Sequence, residues 1–254
     1  MKLLLPLVLC ASMAAYATIE PVFCIAYERN GMAYVHQGGR FQFGLDLSGE
    51  VKYDDAGRIE RIQSKRISYD HQGRVDRIGS TRVSYDEHGR VERIGSARVR
   101  YNDDGSVDRI GSSQVNYWPD RRIKSVRGGL AGLPSDFVPV LAVVSRSVIA
   151  FIDIRGHFEF GAEGAGTTFF RSDGRVRSVG GANITFNEQD RVTRVGGTSV
   201  TYDDQGRVIR IGGTSVTYDT DGRIRQIGGA RIRYDDDGRV RRAGNGVQIV
   251  GQGN

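Results

Sequence analysis

Two columns of arginine give this chain its chemical character. Arg58, Arg74, Arg90, Arg122, Arg175, Arg191, Arg207, Arg223 and Arg239 share one position of a 16-residue period, and Arg61, Arg77, Arg93, Arg109, Arg194, Arg210 and Arg242 share another. Guanidinium is a planar, permanently charged fork that meets carboxylate, uronic acid or phosphate groups bidentately. The residue between the columns separates two groups of repeats. It is acidic in the first (Glu60, Asp76, Glu92, Asp108) and becomes Arg177, Thr193, Ile209, Arg225 and Arg241 in the second. Cross-strand pairs can neutralise the first group. The second keeps more free guanidinium, so its expected ligand contacts are Arg177, Arg225 and Arg241, with Arg207, Arg223 and Arg239 beside them. The structural alternative is that the arginine stems cover a sheet while their heads stay solvated.

Other chemistry has weaker support. Tyr53, Tyr69, Tyr85, Tyr101 and Tyr117 are equally spaced, as are Phe170, Phe186, Tyr202, Tyr218 and Tyr234. Exposed, such a column stacks on sugar rings; we expect it in the core, where aromatics pack on each other across strands. The turns Asn102-Asp103-Asp104-Gly105, Asp219-Thr220-Asp221-Gly222 and Asp235-Asp236-Asp237-Gly238 resemble the start of a calcium loop, but lack its twelfth-position Glu and flanking helices. Ordinary Asx turns are expected there. The histidines His36, His71, His88 and His157 have no metal-ligand spacing. No Gly-x-Ser-x-Gly elbow is present. We therefore expect no catalytic, cofactor-binding or metal-binding residues, no cofactor, and a protein that is not an enzyme.

These residues must be positioned by repeats, and the repeats are themselves duplicated. Each aromatic of the second series lies 117 residues after its counterpart in the first. Arg40-Phe41-Gln42-Phe43-Gly44 matches His157-Phe158-Glu159-Phe160-Gly161 at the same offset. Within one unit, Val216 and Tyr218 are two apart and share a strand face. Asp203 to Gly206 is a turn, Arg207 to Ile211 the next strand, and Gly212-Gly213 opens a second turn. The fold class is thus all-β: two tandem arrays of antiparallel β-hairpin repeats, a meander or solenoid-like sheet whose units need neighbours to cover them. The first copy spans 18–143, with lead-in strands and repeats from about 53; the second spans 144–254, with repeats from about 170. Val208 and Ile211 are three apart, which means either a bulge or a sheet covered on both faces. We expect opposite faces.

Lys2, the apolar run Leu3–Ala15 and Ala15-Tyr16-Ala17 read as a secretory signal, so 1–17 is expected to be removed and Thr18 to begin the mature chain. The mature chain should then hold no transmembrane span. Cleavage removes Cys10 and leaves Cys24 as a buried apolar residue or an intermolecular link. The net charge is +6, and only Lys2, Lys52, Lys65 and Lys124 among 36 basic residues are not Arg. Neither copy has a block of like charge, which argues against nucleic acid as a partner. Export to the periplasm or cell surface is expected.

The unit Tyr-Asp-x-x-Gly-Arg-Val/Ile recurs, as in Tyr69-Asp70…Gly73-Arg74-Val75 and Tyr202-Asp203…Gly206-Arg207-Val208. It resembles the YD repeat of Rhs and teneurin-like proteins over both arrays, in a shortened form. The resemblance implies hairpin β-repeats outside the cytoplasm. The functional expectation is a non-enzymatic binding or scaffold module of the bacterial envelope, contacting an acidic polysaccharide or an envelope protein. The alternatives are a ligand-free spacer, or a small relative of the YD-repeat shells associated with secreted toxins.

Overall fold

The computed structural model describes residues 19–253, leaving out 29–30, 46–48, 127–128, 135–140, 146–147, 154, 164–165, 171–175 and 180. The proposed signal peptide, Arg175 and the side chains of Cys24 and Phe170 lie outside the described residues. Every described element is a strand, and among the described residues no helix is long and apolar enough to cross a membrane.

The strands form two closed barrels. The smaller has eight strands, in the order Ile19–Glu28, Gly129–Pro134, Phe158–Glu163, Val148–Ile152, Leu141–Ser145, Gln248–Gln252, Phe41–Leu45 and Gly31–His36. The larger is a ring of twenty-one short strand segments, the hairpin repeats from Gly49–Tyr53 to Val240–Ala243, of which Ser113–Gln114 and Asn116–Tyr117 are two pieces of one strand. It closes where Arg242 faces Glu50 and Ala243 faces Gly49. The chain passes from barrel to ring after Leu45 and Glu163, and returns after Val126 and Ala243. Each barrel therefore takes strands from both sequence copies. The lead-in strands, with Gly129–Pro134 and Gln248–Gln252 that follow the arrays, build the small barrel, and the repeats build the ring.

The small barrel sits inside the ring. Phe41–Leu45 is buried along its whole length, as only a strand covered on both faces can be. Phe41, Phe43 and Leu45 share one core with the inward residues of the ring, such as Ile62, Ile78, Ile94 and Ile211. Gln42 and Gly44 point the other way, into the barrel. There Tyr34 donates a hydrogen bond to Gln248, and its ring meets Phe151 edge-on at 5.0 Å. The rims are joined by backbone bonds: Val91 N–H donates to Gly39 O (3.1 Å), Val107 to Gln37 (3.1 Å), Val75 to Gly253 (2.6 Å) and, across the ring, Val208 to Gly156 (3.1 Å). Strand spacing explains the match. At ~4.8 Å per strand, eight strands give a radius of ~6–8 Å and twenty side by side give ~15–19 Å, a gap of about the 10 Å at which two sheets pack. Gly39 lies at that close approach: a Cβ there would sit 2.6 Å from Arg90 Cβ and 2.8 Å from the Tyr101 hydroxyl oxygen.

Each repeat carries a bulge, and this corrects the expectation of opposite faces. In the unit at Tyr202, Val200 faces Ile211 and Thr201 faces Arg210, but Tyr202 faces Val208, so Ile209 is an extra residue. The bulge resets the alternation and turns Val208 and Ile211 both inward, at 0% and 1% exposure. Glu60, Asp76, Glu92, Asp108, Arg177, Thr193, Arg225 and Arg241 occupy the same extra position in their units.

Candidate binding surface

The recurrent Asp, Arg and Tyr form a staple between successive units. In the first turn of the units at Tyr53, Tyr69, Tyr85, Tyr202, Tyr218 and Tyr234 the Asp carboxylate accepts backbone N–H groups and also holds the Arg that ends the turn. Asp203 Oδ1 accepts from Gln205 N (3.0 Å) and Arg207 N (2.8 Å), while its Oδ2 receives Arg207 Nε and Nη2, both at 2.8 Å. Thus held, the guanidinium lies over the tyrosine of the next unit: Arg58 over Tyr69 at 4.2 Å, Arg74 over Tyr85 at 4.3 Å, Arg207 over Tyr218 at 4.2 Å. That tyrosine donates its hydroxyl back to the preceding unit, as Tyr69 to Ile59 O (2.8 Å) and Tyr218 to Val208 O (2.5 Å). The same staple closes the ring, because Arg239 covers Tyr53 at 4.5 Å and Tyr53 donates to Val240 O at 2.8 Å.

Ionisation follows from these contacts. Around Asp86, desolvation pushes the pKa up, but the Arg90 backbone N–H, the Arg90 guanidinium and the His88 N–H outweigh it and hold the carboxyl below its ordinary value. Asp54, Asp70, Asp203, Asp219 and Asp235 are lowered in the same way. Burial pushes the Tyr53 and Tyr69 phenols up to about 12.

The six arginines expected to contact ligand therefore separate into two sets. Arg207, Arg223 and Arg239 belong to the staple, each ion-paired to its own turn Asp and stacked on the next tyrosine. Arg177, Arg225 and Arg241 are bulge residues, exposed on the outer wall. Arg241 alone of these three has a described ion pair, 3.6 Å to the half-exposed Glu50. The tyrosines are half-buried against the core with a guanidinium over the ring, so the column is structural rather than a free stacking platform.

The wall also holds arginines outside the expected set. Arg231 faces Gln226, and Arg233 stands directly opposite Arg242. With Arg194 and Arg210, the described outer strand positions of the second half carry Arg177, Arg194, Arg210, Arg225, Arg231, Arg233, Arg241 and Arg242, and the strands from Val176 to Ala243 contain no Asp or Glu. Arg231 and Arg233 fall outside both 16-residue columns. Their signal was the alternation around buried Ile232, which aims both outward. At the ring closure this wall meets acids, in a cleft of about 360 Å³ lined by Arg241, Glu50, Glu60, Asp235 and Asp236 among others.

Among the described residues no group of three or more His, Cys, Asp or Glu is placed to hold a metal ion. Comparison with known proteins yields no matching family model and no matching curated relative.

Proposed function

We propose that this protein is a non-enzymatic, exported binding module of the bacterial envelope, and that the outer wall of its second half binds an acidic polysaccharide. The observation that carries this reading is the row of eight outward arginines on strands free of carboxylate. Like charges directly opposite each other, as at Arg233 and Arg242, are destabilising unless an anion lies between them. A polymer of uronates supplies such anions at intervals and pairs with guanidinium bidentately. The double-walled fold holds the wall rigid, so little ordering is needed on binding.

The mature chain applied to immobilised polygalacturonate in low salt should be retained and should elute as salt screens the contacts. Replacing Arg177, Arg225 and Arg241 with Glu should move elution to distinctly lower salt. Elution of that triple variant at the native position would remove the proposal. Failure of the native chain to be retained in low salt would favour the ligand-free spacer.

A further inference from the structure

The geometry points to a second, aromatic subsite at the junction of the two arrays, one that stacks a pyranose ring of a glycan on Trp118 and Phe169. The first array ends in the hairpin Asn116–Tyr117 and Ile123–Val126, and the second begins with Gly166–Phe170. These edges pair through Ser125 with Thr167 and Val126 with Gly166.

The repeat rule is broken here at three positions. Trp118 stands where Asp70, Asp86 and Asp203 make their turns. Arg121 takes the place of the turn glycine, at φ 67°. Phe169 occupies an outward position that is polar in every other unit, as in Lys52, Ser68, Arg100, Asn116 and Thr201, and is 52% exposed. A side chain in the left-handed region and a lost Asx carboxylate both cost stability. Rule-breaking positions that a regular array would discard are where function is to be sought.

Together they make a site. A cleft of about 360 Å³ is lined by Trp118, Pro119, Asp120, Arg122 and Phe169, within the ~300–1,000 Å³ of small-molecule sites. Its chemistry suits a sugar. The C–H faces of a pyranose are apolar and slightly positive, matching the negative π-face of an aromatic ring. Asp120 and Arg122 lie side by side, Nη2 to Oδ2 2.6 Å, with side chains 49% and 46% exposed. A carboxylate and a guanidinium so placed accept from one hydroxyl of a vicinal pair and donate to the other. Lys124 is outside the cleft lining, and its Nζ lies over the Trp118 ring, 4.8 Å from the centre, so that it occupies one face of the indole. Register places the bulge residue Arg177 on the strand beside Phe169, so a carboxylated sugar is favoured over a neutral one. The aromatic pair and the Asp120–Arg122 pair stand apart from the arginine wall, with Arg177 the one shared residue, so the subsite survives if the rest of that wall binds nothing.

Trp118 is the single tryptophan of the chain, so its fluorescence reports on this cleft alone. The intact mature protein would be titrated with tetragalacturonate, chitotetraose and maltotetraose, in low salt and in salt high enough to abolish retention on the polygalacturonate column. The expected result is a saturable change with at least one of the three that persists in high salt. Phe169→Ser installs the residue that the units at Tyr69 and Tyr85 carry there and should leave the circular dichroism unchanged. It should weaken binding about tenfold, the loss of one aromatic face. The variant R225E/R241E should titrate as native. The subsite is refuted if no oligosaccharide gives a saturable change, if the change vanishes in high salt, or if Phe169→Ser binds as tightly as the native chain.

Discussion

The two halves of the ring share an inner face and differ in the outer one. In the first half Arg61 faces Arg66, Arg77 faces Arg82 and Arg93 faces Arg98. Such pairs repel, and the acidic bulge residues lie among them: Glu92 takes Arg98 at 3.2 Å, while Asp76 accepts the Ser68 hydroxyl at 2.6 Å. The second half lacks those acids. It relieves two of its pairs by setting Ser199 opposite Arg194 and Ser215 opposite Arg210, yet leaves Arg233 against Arg242 with no acidic bulge residue, where the equivalent Arg100 and Arg109 of the first half have Asp108 between the same strands. The inward positions hardly change, because they must fit the enclosed barrel. The bulge is the free variable. Its extra residue is outside the cross-strand ladder, so its side chain can change from Glu to Ile to Arg without disturbing the pairing.

If the inner faces are equivalent, equivalent cavities should cost the same. Ile94 and its counterpart 117 residues later, Ile211, are each 1% exposed. Ile94→Ala and Ile211→Ala should each destabilise by about 2–5 kcal/mol, and chemical denaturation should return the same loss for both. A clear inequality would break the comparison at its base, by showing that one half carries more of the packing against the small barrel.

Acid should act on both halves together. The turn carboxylates of Asp54, Asp70 and Asp86 in the first half and of Asp203, Asp219 and Asp235 in the second all have lowered pKa values. A carboxyl whose folded pKa lies below its unfolded value contributes stability that is full above the unfolded value and is lost as pH falls through the folded one. Thermal stability should therefore hold down to about pH 4, near the unfolded Asp value, and fall in a single cooperative step below it. Two separated acid transitions would mean that the halves titrate, and unfold, independently.

The outer wall offers the sharper test of the difference. Changing Glu60, Asp76, Glu92 and Asp108 to Thr makes the first wall resemble the second. On immobilised polygalacturonate this variant should need more salt for elution than the native chain. An unchanged position would mean that carboxylate at the bulge is not what separates the two surfaces.

Much of this architecture was legible in the sequence. The 16-residue period gave hairpins, and Asp203 to Gly206 gave the turn. The apolar run Met32-Ala33-Tyr34-Val35 already carries the mark of a strand covered on both faces. The bulge was not decidable, because a three-residue spacing such as Val208 to Ile211 fits a bulge or a two-faced sheet equally well. Closure was hidden for another reason: Arg239 completes Tyr53 from 186 positions away along the chain, and a local period says nothing of which ends meet. The staple escaped notice because its members belong to two different units. Read one unit at a time, Arg207, Arg223 and Arg239 look as available as Arg177, Arg225 and Arg241.

The unit at Phe186 departs from the staple, and repairing it gives the smallest predicted effect. Asn187 replaces the turn Asp. It still accepts the Gln189 and Arg191 backbone N–H groups, at 3.1 and 2.8 Å, so the Asx turn survives. A neutral amide cannot hold the guanidinium as a carboxylate does. Arg191 accordingly lies 5.8 Å from the Tyr202 ring centre, against 4.2 Å for Arg207 over Tyr218. Its head crowds Gly206, where a Cβ would meet Nη1 at 2.6 Å. Asn187→Asp should restore the ion pair and draw Arg191 onto Tyr202. Because the pair is partly exposed, the gain should be only about 0.2–1 kcal/mol, read as a small rise in Tm that shrinks as salt is added. The same substitution in reverse, Asp203→Asn, should release Arg207 and lower Tm by a similar amount. If the two changes do not mirror each other, the carboxylate is not what sets the guanidinium over the ring.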